Sequence, residues 1–465
     1  MQVPESLIHA LLTAKGFNKE AFEAVHASGN QITSIRFNPS KIKDDLIDHF
    51  FEGKIEEKVP WSSNGYYLTQ RPSFTADPLF HAGAYYVQEA SSMFLEEAIR
   101  QVIDLTQPLK VLDLCAAPGG KSTLIQSLVN EKSLLVSNEV IKTRVNILTE
   151  NITKWGAGNV IVTNNDPNNF KRLPEFFDVI IVDAPCSGSG LFRKDPHAIG
   201  EWSEQNVQLC SQRQHRILAD ILPSLKTGGI LIYSTCSYSQ EEDENIVDRL
   251  IEEHKLSSLE LKLNNDWGII ETKSPLHKGY GYRFYPDKVK GEGFFIAAFK
   301  NGEHNVADIS DRINNESKGR RKPEKSLGID IEILKSYLDN TNNYFYIIQN
   351  GDVVAVPQYL EKELSMIQSA LYIKKAGIKL GTIIRNELIP DHELAVSTIL
   401  SSSVKRIDVD RETALQYLRR QEIKIEQAKK GWALLTYNKM PLGWVKVLPN
   451  RINNYYPKDW RILNK

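Results

Sequence analysis

Three side chains suited to covalent chemistry stand where strand-like runs end. Cys236 follows the apolar run GGILIY in the segment STCSYSQEEDENIV, and Asp183 and Cys186 lie three apart around a proline in DAPCSGSG. A cysteine attacks electrophilic carbon as its thiolate, and a carboxylate beside it can bind or move a proton. Ser239 with Glu242 three positions on reads as a capping box, and Ile246, Val247 and Leu250 follow at helical spacing. A helix start is therefore expected beside Cys236, where its partial positive charge would favour a thiolate. A lone cysteine at a strand end is as readily a small buried hydrophobe. An acid and a thiol on one short loop, facing a second thiol on the next strand, are harder to explain in that way.

The elements that position these residues alternate. From about residue 109 the runs KVLDLC, SLLVSNEV, NVIVTNND and FDVIIVDAPC are separated by helical stretches, including one expected over 141–155, and a longer helix over about 206–225 leads into GGILIYSTC. Cys210 on that helix is expected in the core. Such alternation means parallel strands with crossover helices, and ligands collect at the carboxyl ends of those strands. The run EGFFIAAFK could close the sheet.

The first strand ends in DLCAAPGGK, where small residues allow close backbone approach and Gly119-Gly120 opens a helix. It is neither a GxGxxG loop nor a Walker loop, which disfavours a nicotinamide dinucleotide or ATP. Glu139 ends the second strand and suits ribose hydroxyls. Asn164, Asn165 and Asp166 end the third, suited to an adenine amino group or simply to a turn.

DLCAAPGGK, VDAPCSGSG and YSTCSYSQEEDENIV, in this order and spacing, resemble the signature motifs of the RNA cytosine-C5 methyltransferases that use S-adenosylmethionine. The resemblance spans about residues 80–300, and GAYYVQEASSM looks like the motif that precedes the family's catalytic sheet. LFRKDPHAIGEWS and the C-terminal GWALLTYNKMPLGWVKVLPNRINNYYPKDWRI are similar to the bacterial branch that modifies small-subunit ribosomal RNA, although that branch often has glutamate in place of Ser189. The resemblance implies a Rossmann-like α/β methyltransferase sheet flanked by N-terminal and C-terminal RNA-binding domains. It implies that Cys236 is the nucleophile, that Asp183 grips the cytosine, that Cys186 assists product release and that Lys121 sits near the base. Cys186 is the alternative nucleophile, as in DNA cytosine methyltransferases. Cofactor contacts then fall on Cys115, Ala116, Ala117, Pro118, Gly119, Gly120, Lys121, Glu139, Arg144, Asp166 and Asp183.

The expected domains are an N-terminal accessory region over 1–100, a catalytic domain over 101–302, a linker over 303–326 containing KGRRKPEK, and a C-terminal region over 327–465. Within the last, Asn350-Gly351 marks a hairpin. Residues 429–465 carry eight Lys or Arg against Asp459, interleaved with Trp432, Tyr437, Trp444, Tyr455, Tyr456 and Trp460. Basic groups neutralise phosphates and aromatics stack on unpaired bases, so RNA is the expected partner here, through what the resemblance implies is a PUA-like module.

With 465 residues, 41% hydrophobic, 25% charged and a net charge of -1, the chain reads as multidomain and globular, without the charge excess of disorder or of a globally basic binder. No apolar stretch spans a bilayer and no secretory leader is evident, so a cytoplasmic monomer without membrane association is expected. The four cysteines lack zinc-ligand spacing, and no metal is expected. A transfer RNA cytosine-C5 methyltransferase would share the same motifs. A non-catalytic RNA-binding or ribosome-assembly factor is a different reading, disfavoured because it has no use for two thiols at strand ends.

Overall fold

The computed structural model describes residues 3–43, 47–51, 53–302, 330–425 and 429–463. The expected linker lies outside the described residues. Five buried runs form the parallel heart of a ten-stranded sheet: β1 Lys110–Asp113, β2 Leu134–Asn138, β3 Val160–Thr163, β4 Phe177–Asp183 and β5 Leu225–Thr235. β6 Ser257–Leu259, β7 Ile270–Lys273, β8 Tyr280–Phe284, β9 Phe294–Lys300 and β10 Ile373–Ala376 complete it. The path runs β7-β8-β9-β5-β4-β1-β2-β3-β10, with β6 paired to β9. Order reverses at β1 and β4, both parallel to each other, so the crevice between their carboxyl ends is the natural ligand site. Both faces are covered, which is why the strands read as apolar runs rather than alternating ones. Leu148 and Ile152 lie in the core of one face, Ile217 and Ile246 in that of the other.

Helices α1 Gly120–Leu128, α2 Lys142–Trp155, α3 Glu204–Ile221 and α4 Glu244–Glu252 supply those covers. α3 stops before Pro223 rather than running to 225, and Leu225 already belongs to β5. Cys210 is buried on α3, as core. α4 departs from expectation. Its N-cap is Asp243, and the Glu242 side chain turns inward instead of capping with Ser239. The run at β9 does not close the sheet either, because β8 and β7 continue antiparallel beyond it.

The opposite edge is covered from far along the chain. β10 pairs antiparallel with β3, Ile373 opposite Thr163, and Leu364 and Ile367 of the helix Glu361–Ala370 join the catalytic core. A boundary at 327 therefore divides one hydrogen-bonded sheet. The hairpin is present, with Tyr344–Gln349 and Asp352–Pro357 joined by Asn350 and Gly351, both at positive φ as a tight primed turn requires.

Two smaller sheets share a third core. The N-terminal sheet contains Ser34–Phe37 and Tyr85–Val87, and the C-terminal one contains Gly431–Tyr437 and Met440–Val447. Ile35, Phe37 and Leu79 pack in one cluster with Leu418, Leu435 and Val445. Where these parts meet α2, His81 Nδ1 lies 3.4 Å from the Tyr456 hydroxyl, and the His392 ring is edge-on to Tyr456 and Trp460. Burial, with Lys154 nearby, holds His81 at about 4 and His392 at about 3. Lys41 Nζ donates to the carbonyls of Ala82 and Lys154 in the same junction.

Candidate active site

The loop after β1 opens a cradle. Gly119 caps α1 at φ 117, a conformation that favours glycine, and a Cβ on Gly120 would come 3.2 Å from Tyr86 Cε1. Cys115, Ala116, Ala117, Pro118, Gly120, Lys121 and Asp183 line a cavity of about 180 Å³, whose far wall is Tyr86, Val87, Gln88, Glu89 and Ser92. That wall is the GAYYVQEASSM segment, which Arg36 fastens to α1: its guanidinium donates to Gln88 Oε1 at 2.8 Å and to Thr123 Oγ1 at 2.6 Å. Burial pushes the Cys115 thiol well up, so it is a neutral lining group rather than a nucleophile.

Glu139, at the end of β2, is buried, and its Oε1 accepts from the Ile141 N–H. Its Oε2 has no hydrogen bond and only Arg144 Nη1 at 3.4 Å. A buried carboxylate oxygen left without a donor fits a ribose hydroxyl. Glu139 does not itself line the cavity, but Arg144 joins it to the glycine-lined cradle, and together these residues suit an adenosyl group. Arg144 itself donates to the Ala117 carbonyl at 2.6 Å, so it braces the cradle against Glu139. Asp166 does not line the cavity. It caps the turn Pro167–Arg172 and faces Arg216 at 3.8 Å. Asn164 and Asn165 bind backbone, of residues 139–140 and of Tyr372 respectively.

β4 and β5 end side by side and bring the chemistry together. Cys186 Sγ lies 3.0 Å from Cys236 Sγ. Asp183 binds Lys121 Nζ at 2.6 Å through one oxygen and accepts from Ser234 Oγ at 2.8 Å through the other. Burial pulls the Lys121 ammonium down, but Asp183 and Asp113 outweigh it and its pKa stands above the usual lysine value. The hydrogen bond with Cys236, then burial, push the Cys186 thiol well up. The expected helix end is not beside Cys236, since α4 begins only at Glu244. The positive charge near this thiol is Lys121.

A residue that the sequence reading placed in a helix cap organises both thiol loops. Glu242 accepts from Ser187 N at 2.8 Å, from Ser187 Oγ, from Ser237 Oγ at 2.6 Å and from Gln214 Nε2 at 3.0 Å. Each thiol is followed by a serine, and both serines end on this one carboxylate. The repeated Cys-Ser was the available signal. Ser189, also buried, accepts from the Tyr238 N–H at 2.9 Å, and Gly190 N donates to the Cys236 carbonyl at 2.8 Å. A Cβ on Gly190 would come 2.7 Å from that carbonyl, so glycine is required for the two loops to touch.

The aromatic residues of the tail behave differently from expectation. Trp444 and Tyr456 are core, Trp432 packs on Tyr455 with centroids 4.5 Å apart, and of the six only Tyr455 is exposed. A small β-domain needs its aromatics inside. Its basic residues Arg420, Arg451 and Lys458 instead line a separate cleft of about 700 Å³ with Tyr455. Among the described residues, no helix is long and apolar enough to cross a membrane.

Comparison with known proteins agrees with this arrangement. Residues 101–300 match the family model of 16S rRNA methyltransferase RsmB/F, residues 3–90 that of the N-terminal domain of 16S rRNA methyltransferase RsmF, and residues 404–462 that of the methyltransferase RsmF PUA domain. The chain is 30% identical over 440 residues to ribosomal RNA small subunit methyltransferase F of Aliivibrio fischeri, covering 92% of this chain and 90% of the relative. It is 30% identical over 449 residues to the protein of the same name in Vibrio vulnificus, again covering 92% and 90%. A solved methyltransferase homolog from Pyrococcus horikoshii is 28% identical with a TM-score of 0.52, covering 64% of this chain and all of that one. The cradle, the paired thiols and these matches lead to one conclusion: the chain belongs to the small-subunit ribosomal RNA methyltransferase F family of S-adenosylmethionine-dependent RNA cytosine-C5 methyltransferases.

Proposed function

We propose that this protein methylates carbon 5 of a cytidine in small-subunit ribosomal RNA through a covalent adduct with Cys236. The observation that carries the reading is the pair of thiols 3.0 Å apart beside the Lys121–Asp183 ion pair, at the mouth of the adenosyl cradle.

Carbon 5 of cytosine is a weak nucleophile, and addition of a thiolate at carbon 6 makes it enamine-like. Cys236 forms the sulfur–carbon bond while the Asp183 carboxyl group, held by Lys121 and Ser234, binds the ring nitrogen and amine where charge changes. S-adenosylmethionine, when bound, supplies an electrophilic methyl group on a sulfonium. Glu139, Arg144 and the 115–121 loop would hold its adenosyl part, and carbon 5 would be the atom that receives the methyl group. A solvent water acting as base takes the carbon 5 proton, the ring double bond re-forms and the carbon 6–sulfur bond breaks, expelling the Cys236 thiolate. Cys186, 3.0 Å away, assists that release by hydrogen bonding to the departing sulfur. Arg420, Arg451 and Lys458 give the RNA phosphates a docking cleft away from the thiols.

The test is bisulfite mapping of ribosomal and transfer RNA from cells with and without the gene, with purified protein and tritiated S-adenosylmethionine in parallel. A cytidine of small-subunit RNA that loses its methyl group with the gene is expected. Label appearing only in transfer RNA would move the substrate, and no label in any RNA would make the protein a binder.

A further inference from the structure

We propose that Tyr372, contributed by the C-terminal part of the chain, is the stacking surface for the adenine of the cofactor. This rests on the reading that Glu139 takes the ribose.

Tyr372 is 63% exposed, although it immediately precedes a strand of the catalytic sheet. Its backbone is held firmly. Asn165 Oδ1 accepts from Tyr372 N and Asn165 Nδ2 donates to Tyr372 O, both at 2.9 Å, and Asn164 N donates to the same carbonyl at 3.2 Å. Asn164 Nδ2 in turn donates to the carbonyls of Glu139 at 2.6 Å and Val140 at 3.0 Å. A continuous set of hydrogen bonds thus joins the backbone at Glu139 to an aromatic residue left in solvent. Val140 and Ile141, next to Glu139, are 52% and 47% exposed, so aliphatic surface is uncovered at the same strand ends. A turn that served only to start β10 would not need a large ring there, and a backbone fixed in advance lowers the ordering cost of stacking. A flat heterocycle attached to a ribose at Glu139 is the ligand that this combination of aliphatic and aromatic surface suits. Ile373 packs into the core next to Tyr372, which keeps the strand end from swinging away.

Binding of S-adenosylhomocysteine to the full-length protein, without RNA, tests the proposal by calorimetry. Tyr372→Ala is expected to weaken the dissociation constant about tenfold, while Tyr372→Phe stays near the parent. The exposed ring can be removed without touching the backbone bonds, and an unchanged melting temperature verifies this. Glu139→Ala is the control for the underlying reading. Weakening by Glu139→Ala with no change in Tyr372→Ala overturns the proposal and leaves that reading intact. If that unchanged variant also shows a raised KM for RNA, the ring serves an RNA base instead. No change in either variant overturns both.

Discussion

Ser187 Oγ and Ser237 Oγ lie 3.3 Å apart, each one residue beyond a site thiol, and both donate to Glu242. The thiol pair is therefore placed by a buried carboxylate that touches neither sulfur. Glu242→Gln keeps the shape but sets an amide N–H against one of these donors. Hydrogen bonds to a charged group are worth about 1.5–3 kcal/mol each. A stability loss of that order in urea titration is expected, with slower adduct formation on RNA and unchanged S-adenosylhomocysteine affinity. Normal adduct kinetics in the folded variant would reduce Glu242 to a structural anchor.

The two thiols should fail at different stages. Cys236→Ala is expected to give neither adduct nor product, because the bond to carbon 6 cannot form. Cys186→Ala should attack and methylate yet release slowly, so a protein–RNA band resistant to denaturant accumulates on gels. Adducts seen only when Cys236 is replaced would transfer the nucleophile to Cys186, and mass mapping of the cross-linked peptide identifies the residue directly.

Removal of residues 327–465 takes away β10 and the helix residues Leu364 and Ile367 that complete the catalytic core. It also removes Leu435 and Val445 from the core shared with the N-terminal sheet. The expected outcome is a strongly destabilised protein with lost cofactor binding, read by melting temperature and calorimetry. A truncation that melts like the full chain and binds S-adenosylhomocysteine normally would show that the late elements are mere attachments.

Acid should loosen the junction that holds the C-terminal sheet. His81 and His392 have folded values of about 4 and about 3, below the ordinary histidine value near 6.5. As pH falls from 6.5, the unfolded chain gains protons that the folded one refuses, so stability declines through that window and is unaffected above it. The loss is on the order of 2 kcal/mol per histidine by pH 5. Urea midpoints at pH 7 and pH 5 measure it, and His392→Phe should remove about half of the difference.

Much of the catalytic sheet was legible because its strands are short apolar runs ending in small or acidic residues, as DLCAAPGGK and VDAPCSGSG do. The thiols and Asp183 were found in that way and Lys121 through the family resemblance, and the structure brings them together. Glu242 was misread since Ser239 and Glu242 satisfy the capping pattern locally, while its real partners lie as far back as Ser187 and Gln214. β10 carried almost no signal: IKKA has little apolar alternation, and its partner strand ends at Thr163. The tail's aromatics advertised stacking in the sequence, yet Trp444 and Tyr456 are needed as core in a sheet too small to spare them.

The late strand also has a consequence for how the protein is made. β3 is an open edge on the nascent chain until Ile373–Ala376 has left the ribosome, well after Lys300 has completed the preceding strand of the sheet. At roughly 5–20 residues per second, synthesis leaves that edge bare for about 4 to 15 s. An unpaired, apolar strand edge invites pairing with another chain during that interval. Slow codons between Lys300 and Ile373 would lengthen the exposure, and the yield of soluble protein should respond to translation speed there more than anywhere earlier in the gene.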